Sequence, residues 1–241
     1  MSLIIDVMLS FLCALFGTCD QDQCRELSHA SSHHIVCSFD VAEIETRLFL
    51  NDEDGTPYAR LSALEGNLAT TSLMLMNGGM YHDDLSAVGL YVEQGAEKKK
   101  ISTKGGWGNF HLLPNGVFWG KDGKLGVTET KRYIRRKMKP DFATQSGPML
   151  VINGKLHPRF LKDSDSRKIR NGVGISRDGK TVYFAISKNA VTFWDFGTLF
   201  QTKLKAHNAL FLDGTVSAIR TKQFRRGGWR QLGPMIGVFK R

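Results

Sequence analysis

The chain has 241 residues, of which 41% are hydrophobic and 23% charged, a balance that excludes an intrinsically disordered protein and suits a packed globular one. Its 25 glycines are spread along the chain and favour many short strands and turns over long helices. The formal net charge of +10 favours anionic partners such as phosphates, nucleic acid or anionic membranes. The excess is clustered at residues 131–139 and 220–241, and a solvated basic face accounts for both clusters without any partner.

The first apolar stretch, residues 3–16, resembles the core of a secretory signal and is shorter than a membrane-spanning helix. It departs from the signal pattern because Asp6 interrupts it and no lysine or arginine precedes it. We predict that residues 1–20 form a signal or anchor segment. The protein is then periplasmic or extracellular, and membrane anchoring is expected only through this segment.

All four cysteines lie within the first 37 residues, so the body of the chain has no Cys-x-x-Cys metal or redox motif. If Cys19 marks a processing site, it carries a lipid and leaves Cys24 and Cys37 free to pair. Thr18 fits a lipoprotein signal poorly, so the sequence leaves lipid-anchored and freely secreted forms both open.

Strand-like runs begin at residue 35 and are rich in valine, isoleucine, threonine and phenylalanine. They lie at 35–40, 46–50, 71–76, 88–93, 149–152, 173–176, 181–186, 208–212 and 235–239. Helix signals are fewer: residues 58–65 predict a short helix ending at Gly66, and Thr192 with Asp195 forms a capping box that opens the clearest helix. We predict a single α+β domain over residues 35–241, with mixed, strand-rich sheets and few helices.

The first candidate site follows the buried strand at 71–76, which runs into Asn77, Gly78 and Gly79. Glycines after a strand permit a close backbone approach or a positive φ. His82 and Asp84 follow, in the segment of the chain that is densest in acid–base residue types. A loop with local turns and the rim of a pocket both fit this pattern. Because ligand pairs with standard spacing are missing, we predict neither a metal ion nor a cofactor.

Two further candidate sites stand at the starts of strands. Ser146 and Gly147 precede a strand, and the nucleophile-elbow motif of serine hydrolases is missing there, so Ser146 is expected to donate a hydrogen bond to substrate. Arg170 and Asn171 precede a glycine-spaced apolar strand. Arg170 suits bidentate recognition of a phosphate or carboxylate, and a surface arginine at a strand start is the alternative.

The last candidate site is Asp213 with Gly214, at the end of the apolar strand 208–212. An Asp-Gly pair after a strand is ordinary turn chemistry. A carboxylate at the end of a buried strand is also a candidate functional group. The other glycine-marked strand ends favour the functional interpretation, because all of them can meet at one pocket.

Four motifs in this order resemble the phosphodiester glycosidase family, and more closely its bacterial YigE-type branch. They are Asn77-Gly78-Gly79, Gln145-Ser146-Gly147-Pro148, Arg170-Asn171-Gly172-Val173-Gly174-Ile175 and Leu212-Asp213-Gly214. The resemblance extends over residues 36–238. It implies an extracytoplasmic α+β hydrolase fold in which these strand ends converge on one pocket. The residues that it implies as lining the pocket or binding substrate are Asn77, Gly78, Gly79, Ser146, Gly147, Asn171 and Gly214.

On this resemblance we expect a hydrolase that cleaves the glycosidic bond of a sugar phosphodiester in or near the cell envelope. Asp213 is the expected acid–base residue or nucleophile and Arg170 the expected phosphate clamp, with His82 and Asp84 as further acid–base candidates. The last motif departs from the characterised family at Thr215, Val216 and Ser217, and the arginine motif departs at Asn171. The altered last motif keeps a non-catalytic binder of envelope polysaccharide or sugar phosphate as the alternative.

The net charge of +10 also raises a nucleic-acid binder as a hypothesis. Aromatic residues are not interleaved with the basic runs in the way that base-stacking platforms require. The export signal argues against such a partner as well. We therefore expect a phosphate-bearing sugar or glycan as the partner, and no nucleic acid.

Overall fold

The computed structural model describes residues 23–214 and 216–241. The predicted signal or anchor segment (1–20), Cys19 and Thr215 lie outside the described residues. No helix in the described part of the chain is long and apolar enough to cross a membrane.

The described residues form seventeen strands and three α-helices. The strands are β1 (Cys24–His29), β2 (Ser32–Asp40), β3 (Ile44–Phe49), β4 (Met74–Asn77), β5 (Tyr91–Glu93), β6 (Ala96–Lys99), β7 (Gly116–Lys121), β8 (Lys124–Glu129), β9 (Phe142–Ser146), β10 (Met149–Ile152), β11 (Lys155–Leu156), β12 (Asn171–Ile175), β13 (Thr181–Ser187), β14 (Asn208–Asp213), β15 (Ile219–Thr221), β16 (Arg225–Arg226) and β17 (Met235–Lys240). The helices are α1 (Leu61–Asn67), α2 (Thr130–Arg136) and α3 (Phe193–Thr198), which continues into a π-helical turn, Leu199–Lys203.

The strands make three sheets. A seven-stranded sheet has the order β1-β2-β13-β12-β14-β10-β11, and two five-stranded sheets have the orders β16-β15-β4-β17-β3 and β6-β5-β9-β7-β8. Every pairing between these strands is antiparallel, so the prediction of mixed sheets is wrong. Parallel neighbours need long crossovers, usually helical, whereas many neighbours here follow each other through short turns. The strand-rich α+β description with few helices fits.

One core cluster joins the three sheets. It includes Phe184 from the seven-stranded sheet, Met76 and Ile236 from one five-stranded sheet, and Phe118 from the other. The opposite face of the seven-stranded sheet is covered by α3 and the turn that follows it, where Phe196, for example, is buried. The seven-stranded sheet is therefore buried on both faces.

The cap of α3 matches its sequence signal, because Thr192 Oγ1 accepts a hydrogen bond from the backbone N–H of Asp195 at 3.0 Å. The helix predicted over 58–65 begins later, at Leu61, and continues through Gly66 to Asn67. Several elements had not been predicted, among them β1, whose Cys24 forms a disulfide with Cys37 of β2, and α2, which overlaps the basic cluster 131–139. The carboxylate of Glu129 caps α2, and the side chains of its basic residues are exposed.

His34 in β2 is a buried titratable group outside the candidate site. Neither of its ring nitrogens has a hydrogen-bond partner among the described residues. Burial, helped by the nearby His29, lowers the pKa of His34 from 6.5 to about 4. The fold therefore holds His34 in its neutral form. The stability that the fold gains from keeping His34 neutral is complete above pH 6.5 and is lost as the pH falls towards 4.

We expect His34→Phe to reduce the acid sensitivity of the fold, because it removes a group that must be protonated while buried. Between pH 7.5 and 4.5 the wild type should lose about 2 kcal/mol more unfolding free energy than the variant. Urea denaturation at the two pH values measures this difference. His33→Phe, at the exposed neighbouring position, is the control. Equal losses in wild type and His34→Phe would contradict the interpretation.

Candidate active site

Three strand ends from two sheets meet at one place. Asn77 is the last residue of β4, Asn171 is the first residue of β12, and Asp213 is the last residue of β14. Asn171 and Asp213 are register partners, next to an irregularity in the pairing of β12 with β14. Such an irregularity re-aims side chains at the end of a ladder. The sequence motifs at these three positions therefore converge, as expected.

The side chain of Asn171 connects the two sheets. Its Nδ2 donates to the backbone oxygen of Asn77 at 3.0 Å and to Asn77 Oδ1 at 2.9 Å, while its Oδ1 accepts from the backbone N–H of Asp213 at 2.9 Å. Asn77 Oδ1 also accepts from the backbone N–H of Ala218 at 2.8 Å. Asn171 and Asn77 are both buried, so these bonds form where water does not compete for them.

Asp213 is partly buried, and its Oδ1 accepts a hydrogen bond from the backbone N–H of Gly214 at 2.5 Å. No lysine or arginine within residues 23–214 and 216–241 forms an ion pair with it. Burial raises the pKa of Asp213 to about 6, against the opposing effect of the Gly214 N–H. Asp213 is thus a carboxyl group that changes charge close to neutral pH, which is typical of acid–base residues in active sites.

Ser146 is hydrogen-bonded to the end of β14. Its Oγ donates to the backbone oxygen of Leu212 at 2.7 Å, and the side chain is buried. The hydroxyl hydrogen that was expected to reach substrate is therefore used within the protein. Gly147 beside it is needed for packing, because a Cβ atom there would lie 2.5 Å from the Cβ atom of Asn115.

The glycines after β4 bring that strand end against its neighbours. Gly78 N donates to the backbone oxygen of Pro234 at 2.7 Å. A Cβ atom at Gly79 would lie 2.6 Å from Thr144 Oγ1, so the expected close backbone approach is made to the protein itself. Gly214 differs, because a Cβ atom there would make only ordinary contacts, the nearest at 3.6 Å.

His82 and Asp84 lie on an exposed turn. Asp84 Oδ1 accepts from the backbone N–H and from the hydroxyl of Ser86, at 2.9 and 2.6 Å, which is the local turn that the sequence had left as one alternative. Within the described ranges, neither side chain hydrogen-bonds to the network of Asn171 and Asp213.

Tyr81, one residue earlier, was missed in the sequence. Its hydroxyl donates to the backbone oxygen of Gln231 at 2.7 Å. Burial first, and then the negative charge of Asp213, raise the pKa of Tyr81 to about 12, so its phenol lies within electrostatic range of Asp213. In the sequence, Tyr81 was only an aromatic residue between Gly79 and His82. Aromatic residues in loops are too common to identify a site.

Arg170 points away from the network that its neighbour Asn171 forms. Only 1% of it is exposed, and its guanidinium carbon lies 3.6 Å from the ring centroid of Phe193. Its Nε donates to the backbone oxygen of Val191 and its Nη2 to that of Ser166, both at 3.0 Å. Successive residues of a strand serve opposite faces, which explains why the two neighbours separate.

The charge of Arg170 has no counter-charge among the described residues. Nη1 is buried and makes no hydrogen bond to any residue of the described ranges. Burial lowers the pKa of Arg170 to about 10. Buried charges are normally paired, so an unpaired guanidinium is a candidate anion-binding group.

Two cavities lie away from Asp213. A cavity of about 440 Å³ is lined by Arg132, Arg136 and His207 at the start of β14, the end opposite Asp213. Another of about 680 Å³ lies beside Glu65 and Arg220. No group of three or more histidine, cysteine, aspartate or glutamate residues in the described part of the chain is placed to hold a metal ion.

Residues 70–239 match the family model described as phosphodiester glycosidase. The chain belongs to the phosphodiester glycosidase family. It is also 36% identical, over 178 residues, to the uncharacterized protein YigE of Escherichia coli K12, an alignment that covers 73% of this chain and 69% of that protein. All three converging strand ends of this phosphodiester glycosidase domain lie within the matched residues.

Two solved structures share the fold. The catalytic domain of zebrafish N-acetylglucosamine-1-phosphodiester alpha-N-acetylglucosaminidase, auto-inhibited by its pro-peptide, matches with a TM-score of 0.60 at 12% identity, over 90% of this chain and 82% of that one. A hypothetical protein from Synechocystis matches with a TM-score of 0.57 at 13% identity, over 90% of this chain and 61% of that one. At these identities the likeness establishes a shared fold.

We expect Asn171→Ala to lower the unfolding free energy by about 2–4 kcal/mol, because it leaves several buried polar groups without partners. Urea denaturation at pH 7 measures the loss. Asn208→Ala is the matched control, since Asn208 is only partly buried and lies at the opposite end of the same strand pair, where it accepts one bond from the backbone N–H of Asn153. Similar losses in both variants would contradict a special role for Asn171.

Proposed function

We propose that this phosphodiester glycosidase domain hydrolyses the bond between a sugar and a phosphate group. The observation that carries the proposal is Asp213, a partly buried carboxyl group with a pKa raised to about 6, at the meeting point of three strand ends. Membership of the family supports the substrate class. The name of the zebrafish structure, an N-acetylglucosamine-1-phosphodiester glycosidase, points to the same chemistry.

In the proposed reaction the oxygen of a water molecule attacks the anomeric carbon of the sugar. The bond from that carbon to the phosphate oxygen breaks, and its electron pair stays with the phosphate. The proton of the water passes to the Asp213 carboxylate, which later releases it to solvent. A raised pKa makes Asp213 a stronger base than an exposed aspartate. A direct nucleophilic attack by Asp213 on the same carbon also needs the charged carboxylate.

The leaving group explains why one carboxylate suffices. A phosphate monoester has its second pKa near 6, so it is a weak base and leaves with little help from an acid. The main requirement at the leaving phosphate is stabilisation of its negative charge. We assign this role to Arg170, whose unpaired Nη1 supports it. Because Arg170 is almost fully buried and points away from the network of Asn171 and Asp213, its guanidinium has to reorient before Nη1 can contact a phosphate at Asp213.

We also propose that the protein acts outside the cytoplasm, in or near the cell envelope. The disulfide between Cys24 and Cys37 supports this location, because such bonds persist in oxidising compartments. The apolar stretch 3–16 supports it from the sequence.

We expect Asp213→Asn to lower kcat/KM for a sugar-1-phosphodiester by about 10²–10⁴-fold, since it removes the base that activates water. In the wild type, kcat/KM should rise with pH through about pH 6, where Asp213 loses its proton. The residual turnover by the variant should not show this rise. Release of free sugar from a panel of sugar-1-phosphodiesters is the measurement.

Asp84→Asn is the matched control, because Asp84 lies on an exposed turn and is expected to be dispensable for turnover. Full activity of Asp213→Asn on every active phosphodiester would contradict the assignment of Asp213 as the catalytic base. Tight binding of the panel by the wild type with no release of sugar would instead support the non-catalytic binder of sugar phosphate.

For Arg170 we expect Arg170→Lys to lower kcat/KM by about tenfold or more, because an ammonium group cannot reproduce the planar fork of a guanidinium. The loss should be larger on diesters with poorer leaving groups, whose transition states carry more charge on the phosphate. Comparison of two diesters that differ only in the leaving group tests this. An equal loss on both, with the melting temperature lowered, would indicate a purely structural role for Arg170.

A further inference from the structure

The cavity of about 440 Å³ lies where several parts of the chain meet. Its walls come from β8 and α2, from the turn between β12 and β13, from the end of β10 and from the start of β14. Its volume lies within the range of small-molecule sites, about 300–1,000 Å³. Asn208 lines the cavity, and Asp213 stands at the other end of β14, about 17 Å away at the rise of an extended strand. The cavity is therefore separate from the candidate active site.

Four arginines line this cavity from two elements. Arg132, Arg135 and Arg136 belong to α2, and Arg177 belongs to the turn between β12 and β13. A solvated basic face explains the cluster 131–139 in the sequence, but Arg177 lies outside that cluster and joins it only through folding. None of the four forms an ion pair within the described residues. Guanidinium groups that converge without counter-charges indicate a site for an anion.

The two carboxylates that line the cavity serve their own backbone turns. Glu129 caps α2, and Asp178 Oδ1 accepts a hydrogen bond from Ser176 Oγ at 2.5 Å. Arg132 and Arg136 are four residues apart on α2, so they share one face of the helix, where like charges repel each other. A bound anion would relieve this repulsion, which the carboxylates leave in place.

The wall formed by β7 and β8 is held by side-chain contacts. Thr128 Oγ1 accepts hydrogen bonds from Trp119 Nε1 at 2.9 Å and from Arg136 Nη1 at 3.3 Å. A Cβ atom at Gly126 would lie 2.2 Å from Trp119 Cζ2, so the indole packs directly on the backbone of β8. Arg136 is thus fixed beside an aromatic ring at the cavity. Side chains that are already oriented lose less conformational entropy when they bind a ligand.

His207 connects the two groups of arginines. Its imidazole lines the cavity at the start of β14. Burial first, and then the positive charges of Arg177 and Arg132, lower the pKa of His207. The arginine of the turn and the arginine of α2 therefore lie within electrostatic range of the same ring. Their charges act together in the cavity although they belong to different sheets.

We propose that this cavity binds a diphosphate, in which two phosphate groups share one bridging oxygen. The planar fork of a guanidinium matches phosphate oxygens in pairs. Arginines stand on both α2 and the turn, so one phosphate group contacts Arg132 and Arg136 while the other contacts Arg177. Trp119 and Ile152 also line the cavity and offer an apolar surface to an organic group esterified to the diphosphate. The proposal is independent of the reaction at Asp213.

The test is a calorimetric titration of the full chain with inorganic diphosphate, uridine 5′-diphosphate, inorganic phosphate and citrate, in buffer without divalent metal ions. We expect at least one diphosphate to bind tenfold or more tightly than inorganic phosphate and citrate. Tighter binding of uridine 5′-diphosphate than of inorganic diphosphate would identify an organic ester as the source. The reverse order would identify the inorganic ion, and either order supports a diphosphate site.

Arg132→Ala and Arg177→Ala should each weaken diphosphate binding about tenfold or more, because each removes charge-assisted hydrogen bonds from one side of the ligand. Arg25→Ala is the matched control, since Arg25 is an exposed arginine on β1 that does not line the cavity. It should bind diphosphate as the wild type does. Unchanged melting temperatures show that each variant is folded.

Nuclear magnetic resonance locates the bound ligand. The imidazole resonances of His207, assigned by their loss in His207→Gln, should shift when diphosphate is added to the wild type. Asp213→Asn should bind diphosphate as the wild type does, because Asp213 stands at the opposite end of β14.

The proposal is overturned if diphosphate binds no more tightly than phosphate and citrate, or if Arg25→Ala weakens binding as much as Arg177→Ala does. The second result would indicate a solvated basic face. Loss of binding in Asp213→Asn, with the His207 resonances unmoved, would place the ligand at the candidate active site and also overturn the proposal. Binding in the cavity with no turnover of any sugar-1-phosphodiester would support the cavity site and refute the hydrolase alone.

Discussion

The hydrogen bonds of Asn171 are the interaction on which the rest of the candidate site depends. One amide side chain reaches from the seven-stranded sheet to Asn77 in a five-stranded sheet, and on its other side holds the backbone of Asp213. An aliphatic residue of similar size would fill the space but satisfy none of these groups, and a charged one would cost desolvation energy. The position of Asp213 therefore follows from a polar contact between sheets and not from its own strand alone.

Asp213 and Arg170 both lack a counter-charge among the described residues, and each charge is unfavourable in the folded protein. Burial without a counter-charge raises the pKa of Asp213 and lowers that of Arg170. Each shift means that the charged form is destabilised in the folded protein. A fold under selection for stability alone would pair or replace such groups, whereas active sites commonly retain them. The unfavourable burial of charge thus supports the proposed roles of both Asp213 and Arg170 in the reaction.

Local signals in the sequence were reliable where one short-range effect dominated. The strand at 208–212 and the cap at Thr192 depend on hydrophobicity and on one side-chain hydrogen bond, and both were predictable. The orientation of strands was not, because pairing partners such as β12 and β14 are far apart in the chain. The acid–base candidates His82 and Asp84 stay a prediction: the structure places Asp84 in a local turn with Ser86, and it shows that the neighbouring Tyr81 donates its hydroxyl to the backbone of Gln231.

By itself, the sequence determined that this is a strand-rich α+β protein, that four glycine-marked strand ends belong together, and which family they resemble. Those conclusions need only residue types and their order. Tertiary structure alone decided that Asn171 binds Asn77, that Arg170 turns away from Asn171, and that the hydroxyl of Tyr81 binds the backbone of Gln231. These relations join residues far apart in the chain or divide neighbours between opposite faces of a sheet. Residue order carries no information about either until the strands have paired.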